Sequence, residues 1–416
     1  MKKRTASRRR RRASPLPLRN RAGAGRTGKS KLVLVGVLSL IAAGGLAVII
    51  LFSGILGAPP PSGLPDPSSG GPPPAKAGLN LDKEALENEA VDVMTRLVRD
   101  FPDSGKSHGL MGIVRVALGN LPEATRCFER SIELDPGYTN GYRGLAAIAL
   151  SAGEFEKVVR LARMALQVDL KARGVRSQLG QALIALGKPE EAIVVLRRDV
   201  EVPPRASRSC FHLAQAYQQL GQYGKANESY ATALKINPYY TEACYGMSVA
   251  SARLGQAGDA AKYRRQFNQM KAMDLKRLAG GRDGVDRRKH LADLRRGAAQ
   301  AHTEAGMVYR DKGRFGMAEK HWRRAAVLAP TDTMCRWALM LYYQGNGLYG
   351  RAIPVLEQLI RIKPNNPNYH VIYSVMLAKT NRLDAALSAI KRAIQLDPNN
   401  PDSRGLYEKI LRRRRQ

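Results

Sequence analysis

From residue 80 onward the apolar residues recur with helical period, and that pattern repeats along the chain. Proline marks the period. Pro102, Pro136, Pro204 and Pro238 fall on one 34-residue grid with Leu170 at the fifth node. Pro330, Pro364 and Pro398 fall on a second grid of the same spacing, displaced by 24 inserted residues. Seventeen residues before each node stand Gly119, Gly153, Gly187, Gly221, Gly255, Gly313, Gly347 and Asn381. These residue types best tolerate a left-handed helix C-cap, so each unit is expected to be two helices joined by a tight reversal. Twelve before each node the residue is Ala124, Val158, Ala192, Ala226, Ala260, Ala318, Ala352 or Ala386. Small side chains there let two helices approach closely. Eight before, Phe128, Leu196, Tyr230, Trp322, Leu356 and Ile390 would fill the space that remains.

These columns resemble the tetratricopeptide repeat (TPR) family over about residues 105–400, in eight copies. Two copies carry the pattern best. Residues 207–240 have Leu213, Ala214, Tyr217, Gly221, Tyr223, Ala226, Tyr230, Ala233 and Pro238, and residues 299–332 have Gly306, Tyr309, Gly313, Ala318, Trp322, Ala325 and Pro330. The copy at 139–172 departs with Val158, Ala162 and Leu170, and the copy at 241–274 with Ser251, Arg264 and Phe267. The resemblance implies an all-α fold, a TPR-like right-handed superhelical solenoid of helix pairs. It places repeats 1–5 at 105–274 and repeats 6–8 at 299–400. Residues 80–104 and 401–416 read as capping helices, because a solenoid needs polar-faced ends. The basic insert, 275–298, is broken by Gly280-Gly281 and predicts two helical extensions.

The first 79 residues follow another pattern. Residues 32–52 hold only Leu, Val, Ile, Ala, Gly and Phe with one Ser, long enough to span about 31 Å as a helix. This predicts one transmembrane helix ahead of the solenoid. The stretch is too long for a signal peptide, and Ile55 stands where its cleavage site needs a small residue, which favours an uncleaved anchor. Residues 1–31 carry 13 Lys+Arg and no acid. The expectation is therefore a single-pass membrane protein with a cytosolic basic tail and the repeats outside the cytosol, in a periplasmic or other extracytoplasmic space. Residues 58–79 are Pro/Gly-rich and read as a linker. Residues 23–30 match G-x-x-x-x-G-K-S, but no strand precedes them, so the match is an accident of a Gly/Arg-rich tail.

Net charge is +33, of which the body beyond residue 31 keeps +20. The six His and four Cys show no metal-ligand spacing, and no catalytic constellation stands out. An enzyme, a metal and a cofactor are not expected. Cys210 and Cys244, one repeat apart, are too distant for a disulfide and read as core thiols.

At 100° per residue, positions 4, 7, 8 and 11 of each first helix form one stripe and positions 2, 5, 9 and 12 the opposite one. The resemblance places the second stripe on the concave surface, where peptides lie. Positions 5 and 9 of adjacent repeats lack the Lys/Arg and Asn of a carboxylate clamp. Two candidate groove surfaces remain. Arg208, Phe211, Gln215 and Gln218, with Gln181, make a polar middle; Met307, Met334, Trp337, Leu341, Val371 and Val375 make an apolar stretch. The implied function is a protein–protein interaction scaffold or assembly factor that binds a protein or peptide partner. The alternative is an anion-binding protein using its basic surface on nucleic acid, anionic lipid or acidic polymer; nucleic acid is the less expected partner.

Overall fold

The computed structural model describes residues 82–172, 174–201, 206–279 and 284–416. Among these there are 18 α-helices and no strand. A first helix, α1 (Lys83–Asp100), precedes the pairs. Repeat 1 is α2 (Gly105–Ala117) with α3 (Leu121–Leu134), repeat 2 is α4 (Thr139–Ala152) with α5 (Phe155–Val168), and repeat 3 is α6 (Val175–Ala185) with α7 (Pro189–Glu201). Repeat 4 is α8 (Ser207–Gln219) with α9 (Tyr223–Ile236), and repeat 5 is α10 (Thr241–Arg253) with α11 (Ala257–Ala279). Repeat 6 is α12 (Gly284–Asp311) with α13 (Phe315–Leu328), repeat 7 is α14 (Met334–Gly345) with α15 (Tyr349–Ile362), and repeat 8 is α16 (Pro367–Lys379) with α17 (Leu383–Leu396). Last comes α18 (Pro401–Arg415).

Local chemistry sets the helix ends. Asp82, Ser104, Asn120 and Asn400 accept backbone N–H groups in the first turns of α1, α2, α3 and α18, and Pro stands in the first turn of α3, α16 and α18. All eight reversal positions have positive φ, from 69° to 77° at the seven glycines and 61° at Asn381. Inside a repeat the small column lets the helices close: a Cβ at Gly306 would overlap the fully buried Trp322 indole.

Position 4 of the first helix ties successive units together. His108 donates to the Pro102 carbonyl at 2.8 Å, His370 to Pro364 at 2.9 Å and Arg404 to Pro398 at 2.9 Å, and Arg176 makes the equivalent bond to Leu170. In each case the acceptor is the node residue, so the side chain satisfies a carbonyl left over where the preceding helix has ended. Arg336 does related work on α13, donating to the carbonyls of Ala326, Ala329 and Asp332. Cys210 and Cys244 are fully buried and not disulfide-bonded.

The helix pairs do not stack in a single sequential run. α2 to α11 stack in order, and so do α12 to α18, but among the described residues α11 is not packed along α12. Instead α12 lies against α1, and α1 also packs on α2. One core cluster runs from Leu86, Met94 and Leu97 of α1 through Ala305 and Tyr309 of α12 and Trp322 of α13 to Ile410 of α18.

Polar contacts fix this joint. Glu89 accepts from Arg324 Nε and Nη2 at 2.6 and 2.9 Å and from His302 Nε2 at 3.0 Å. The Nδ1 atoms of His302 and His321 lie 2.9 Å apart, so one proton is shared between the two rings. Tyr309 donates to Asp100 at 2.8 Å and stacks on His321, and Arg314 donates to Asp100 at 3.2 Å. Lys106 pairs with Asp311 at 3.5 Å. His302 occupies position 4, but the residue six before it lies inside α12 rather than at a node, so no freed carbonyl is available and the ring turns to Glu89.

The localisation expected from the sequence is corrected. Among the described residues no helix is long and apolar enough to cross a membrane. The basic tail, the apolar stretch at 32–52 and the linker at 58–79, on which that expectation rested, lie outside the described residues, and the single-pass assignment is withdrawn.

Candidate partner-binding site

The apolar candidate stretch comes from positions 2, 5 and 9 of three neighbouring first helices. α12 supplies Met307, α14 supplies Met334, Trp337 and Leu341, and α16 supplies Val371 and Val375. Met307, Trp337, Leu341 and Val375 are half-buried, each with one side on the core of repeats 6–8. Met334 is 53% exposed, and Val371 is buried. The Trp337 ring lies 5.8 Å from that of Tyr369, tilted by 35°, which holds the indole from one side. The result is a strip of thioether, indole and aliphatic surface that keeps partial contact with water. Such a strip can bury the apolar side of a peptide or helix.

The polar candidates behave differently. Phe211 is buried, its ring 4.9 Å from Tyr240, 5.9 Å from Tyr230 and 5.3 Å from His212. Gln215 accepts from His212 Nδ1 at 2.9 Å, and Gln218 accepts from the Tyr230 hydroxyl at 3.1 Å. Burial pushes the His212 imidazole below its ordinary pKa, so the neutral ring is the form that donates to Gln215. Arg208 and Gln181 are exposed, with Arg208 beside the Tyr240 hydroxyl. Repeat 4 thus spends much of its expected groove chemistry on its own packing. Among the described residues no group of three or more His, Cys, Asp and Glu could hold a metal ion.

Two features have no counterpart in the sequence candidates. One is the joint of Glu89, His302, His321 and Arg324, which unites residues more than 200 positions apart. The other is the outer face of repeat 5, whose mark in the sequence is the departure at Ser251, Arg264 and Phe267.

The tetratricopeptide repeat profiles match residues 174–198, 207–240 and 336–401. The chain contains tetratricopeptide repeats. Hsp70-Hsp90 organizing protein 3 of Arabidopsis thaliana is 30% identical over 94 residues, 23% of this chain and 17% of that protein. Hsp70-Hsp90 organizing protein 1 of Glycine max is 29% identical over 92 residues, 22% of this chain and 16% of that protein. The chain therefore spans less than a fifth of these curated relatives. Among solved structures, YrrB, described as a TPR protein with an unusual peptide-binding site, has 16% identity and a TM-score of 0.37 over 46% of this chain and 98% of its own. PilW, described as a type IV pilus biogenesis factor, has 15% identity and a TM-score of 0.38 over 56% of this chain and 98% of its own.

Proposed function

We propose that the chain is a non-catalytic interaction scaffold whose repeats 6–8 seat the apolar side of a partner peptide or helix on Met307, Met334, Trp337, Leu341 and Val375. The observation that carries this reading is the half-buried Trp337, held on one side by Tyr369 and flanked along the strip by Met334 and Leu341. An indole in that position loses little conformational entropy on binding and offers a large apolar surface, the usual character of a binding hot spot.

The test is capture of partners on the full chain, their identification, and an affinity measurement with Trp337→Ala. Binding should weaken by about 2 kcal/mol, roughly 30-fold, with helical circular dichroism and melting temperature near wild type. Lost thermal stability with binding unchanged would make Trp337 a core residue and remove the site. Capture that collapses between low and moderate salt would assign binding to the basic surface instead.

A further inference from the structure

In seven repeats the second helix is covered by the helix that follows: α3 by α4, α5 by α6, and so on to α17 by α18. Among the described residues only α11 lacks that cover, because α12 packs on α1 instead. The uncovered face has its own chemistry. Ala260 is partly exposed, whereas its seven equivalents from Ala124 to Ala386 are fully buried. Four residues on, other repeats bury Phe128, Tyr230 or Trp322; here Arg264 is exposed. The stripe Ala260, Arg264, Phe267, Lys271, Leu275 follows helical spacing along α11. Beside it a cleft of about 350 Å³ opens between α10 and α11, lined by Ser248, Val249, Ala252, Arg253, Ala261 and Arg264 among others.

We propose that this end of repeats 1–5 is a second interaction surface, which takes an acidic amphipathic helix from a partner protein in the place where the next first helix of the solenoid would stand. The cleft is lined by the small side chains of Ser248, Ala252, Ala260 and Ala261, so a helix can approach closely as it does between repeats. The rim is cationic. Arg253 and Arg264 line the cleft, while Arg264 and Lys271 lie over the rings of Tyr245 and Phe267, and among the described residues neither pairs with a carboxylate. Leu275, 56% exposed, extends the apolar part along the same stripe. A partner helix with a small apolar face and flanking carboxylates matches both the floor and the rim. The chain itself does not: its net charge is +33, and the first half of α12 includes Arg287, Arg288, Lys289, Arg295 and Arg296. A second copy would bring cations to cations.

The probe is a labelled synthetic peptide of about 18 residues, long enough to populate a helix alone, with Ala and Leu on one face and Glu flanking them. Its binding to the full chain is followed by fluorescence anisotropy. Saturable binding is expected, weakened about tenfold or more both by Arg264→Glu and by Ala261→Trp, which fills the cleft without changing charge. Arg412→Glu, on exposed α18, should leave it unchanged, and the peptide with Lys in place of Glu should not bind. Three outcomes would overturn the proposal: no binding, loss shared equally with Arg412→Glu, or Ala261→Trp without effect. Concentration-dependent self-association of the full chain abolished by Arg264→Glu would make the occupant a second copy and overturn it too. Circular dichroism of each variant checks that the helices are retained.

Discussion

Replacing Glu89 with alanine removes the charged centre of the joint between α1 and repeat 6. The carboxylate accepts two hydrogen bonds from Arg324 and one from His302, and its side chain is 18% exposed. Burial opposes its ionisation, yet the bonds from His302 and Arg324 outweigh burial and hold the carboxyl at about 2, against an ordinary 4.5. A difference of that size corresponds to about 3 kcal/mol of stabilisation of the charged form. Charge-assisted bonds, each contributing about 1.5–3 kcal/mol before partial exposure is discounted, lead to a similar figure. Glu89→Ala should therefore destabilise the joint by about 3 kcal/mol, and Glu89→Gln, which keeps shape and loses charge, by about half as much. The chain provides its own local probe. Its two tryptophans, Trp322 and Trp337, both lie in repeats 6 and 7, so tryptophan fluorescence reports that array while circular dichroism reports every helix. In urea the fluorescence midpoint of Glu89→Ala should fall well below the midpoint of the bulk helical signal. Equal shifts by both probes, or no shift, would refute the idea that α1 belongs to the core of repeats 6–8.

The same joint predicts an acid response: burial, with His302, Lys320 and Arg96 beside it, pushes His321 down to about 4 from an ordinary 6.5. The unfolded chain takes up that proton first, so this stabilisation is complete above pH 6.5 and is lost as pH falls towards 4; the fluorescence-detected urea midpoint should drop across that window by an amount reaching about 2–3 kcal/mol, and His321→Leu should flatten the drop. Glu89 adds a second loss between pH 4.5 and about 2, with the same sign. Gly306→Ala should cost about 2–3 kcal/mol and lower the melting temperature, because its methyl group overlaps the buried Trp322, whose indole N–H is held on the Thr303 carbonyl at 3.2 Å. Gly316→Ala, in the first turn of α13 with open space around it, should leave stability unchanged or raise it by less than about 1 kcal/mol.

The repeat columns carry most of the fold because each is a local steric requirement. The reversal at Gly119 or Asn381 needs positive φ, and the contact of Gly306 with Trp322 needs a missing side chain; both needs leave a residue type at a fixed spacing. The joint leaves no such trace. The apolar stripe of α1, Leu86, Ala90, Val93, Met94 and Leu97, defines a face to be covered but not which helix covers it, since α2 and α12 both meet that need. The groove was legible only in part for a related reason. Position 5 lies within the outward stripe, but helical side chains lean toward the preceding turn. The Phe211 ring accordingly folds back onto Tyr230 and Tyr240, and Val371 is buried, while the wider Trp337 reaches the surface.

Why α12 rests on α1 and leaves α11 bare follows from the residues on offer. The 24 residues inserted between the two proline grids release α12 from the spacing that would otherwise hold it on α11. Its buried apolar residues include Ala298, Ala301, Ala305, Val308 and Tyr309. Against α11 that surface would meet Arg264 at the position where other repeats bury an apolar side chain, and a cation sealed among alanines without a partner costs several kcal/mol. Against α1 it meets Leu86, Val93, Met94 and Leu97, and the half-buried carboxylate of Glu89 finds both His302 and Arg324. The departure of repeat 5 from its repeat pattern and the joint at α1 are thus two sides of one energetic balance. Arg264 excludes the chain's own next helix, and that exclusion leaves a basic, small-floored cleft at the end of repeats 1–5.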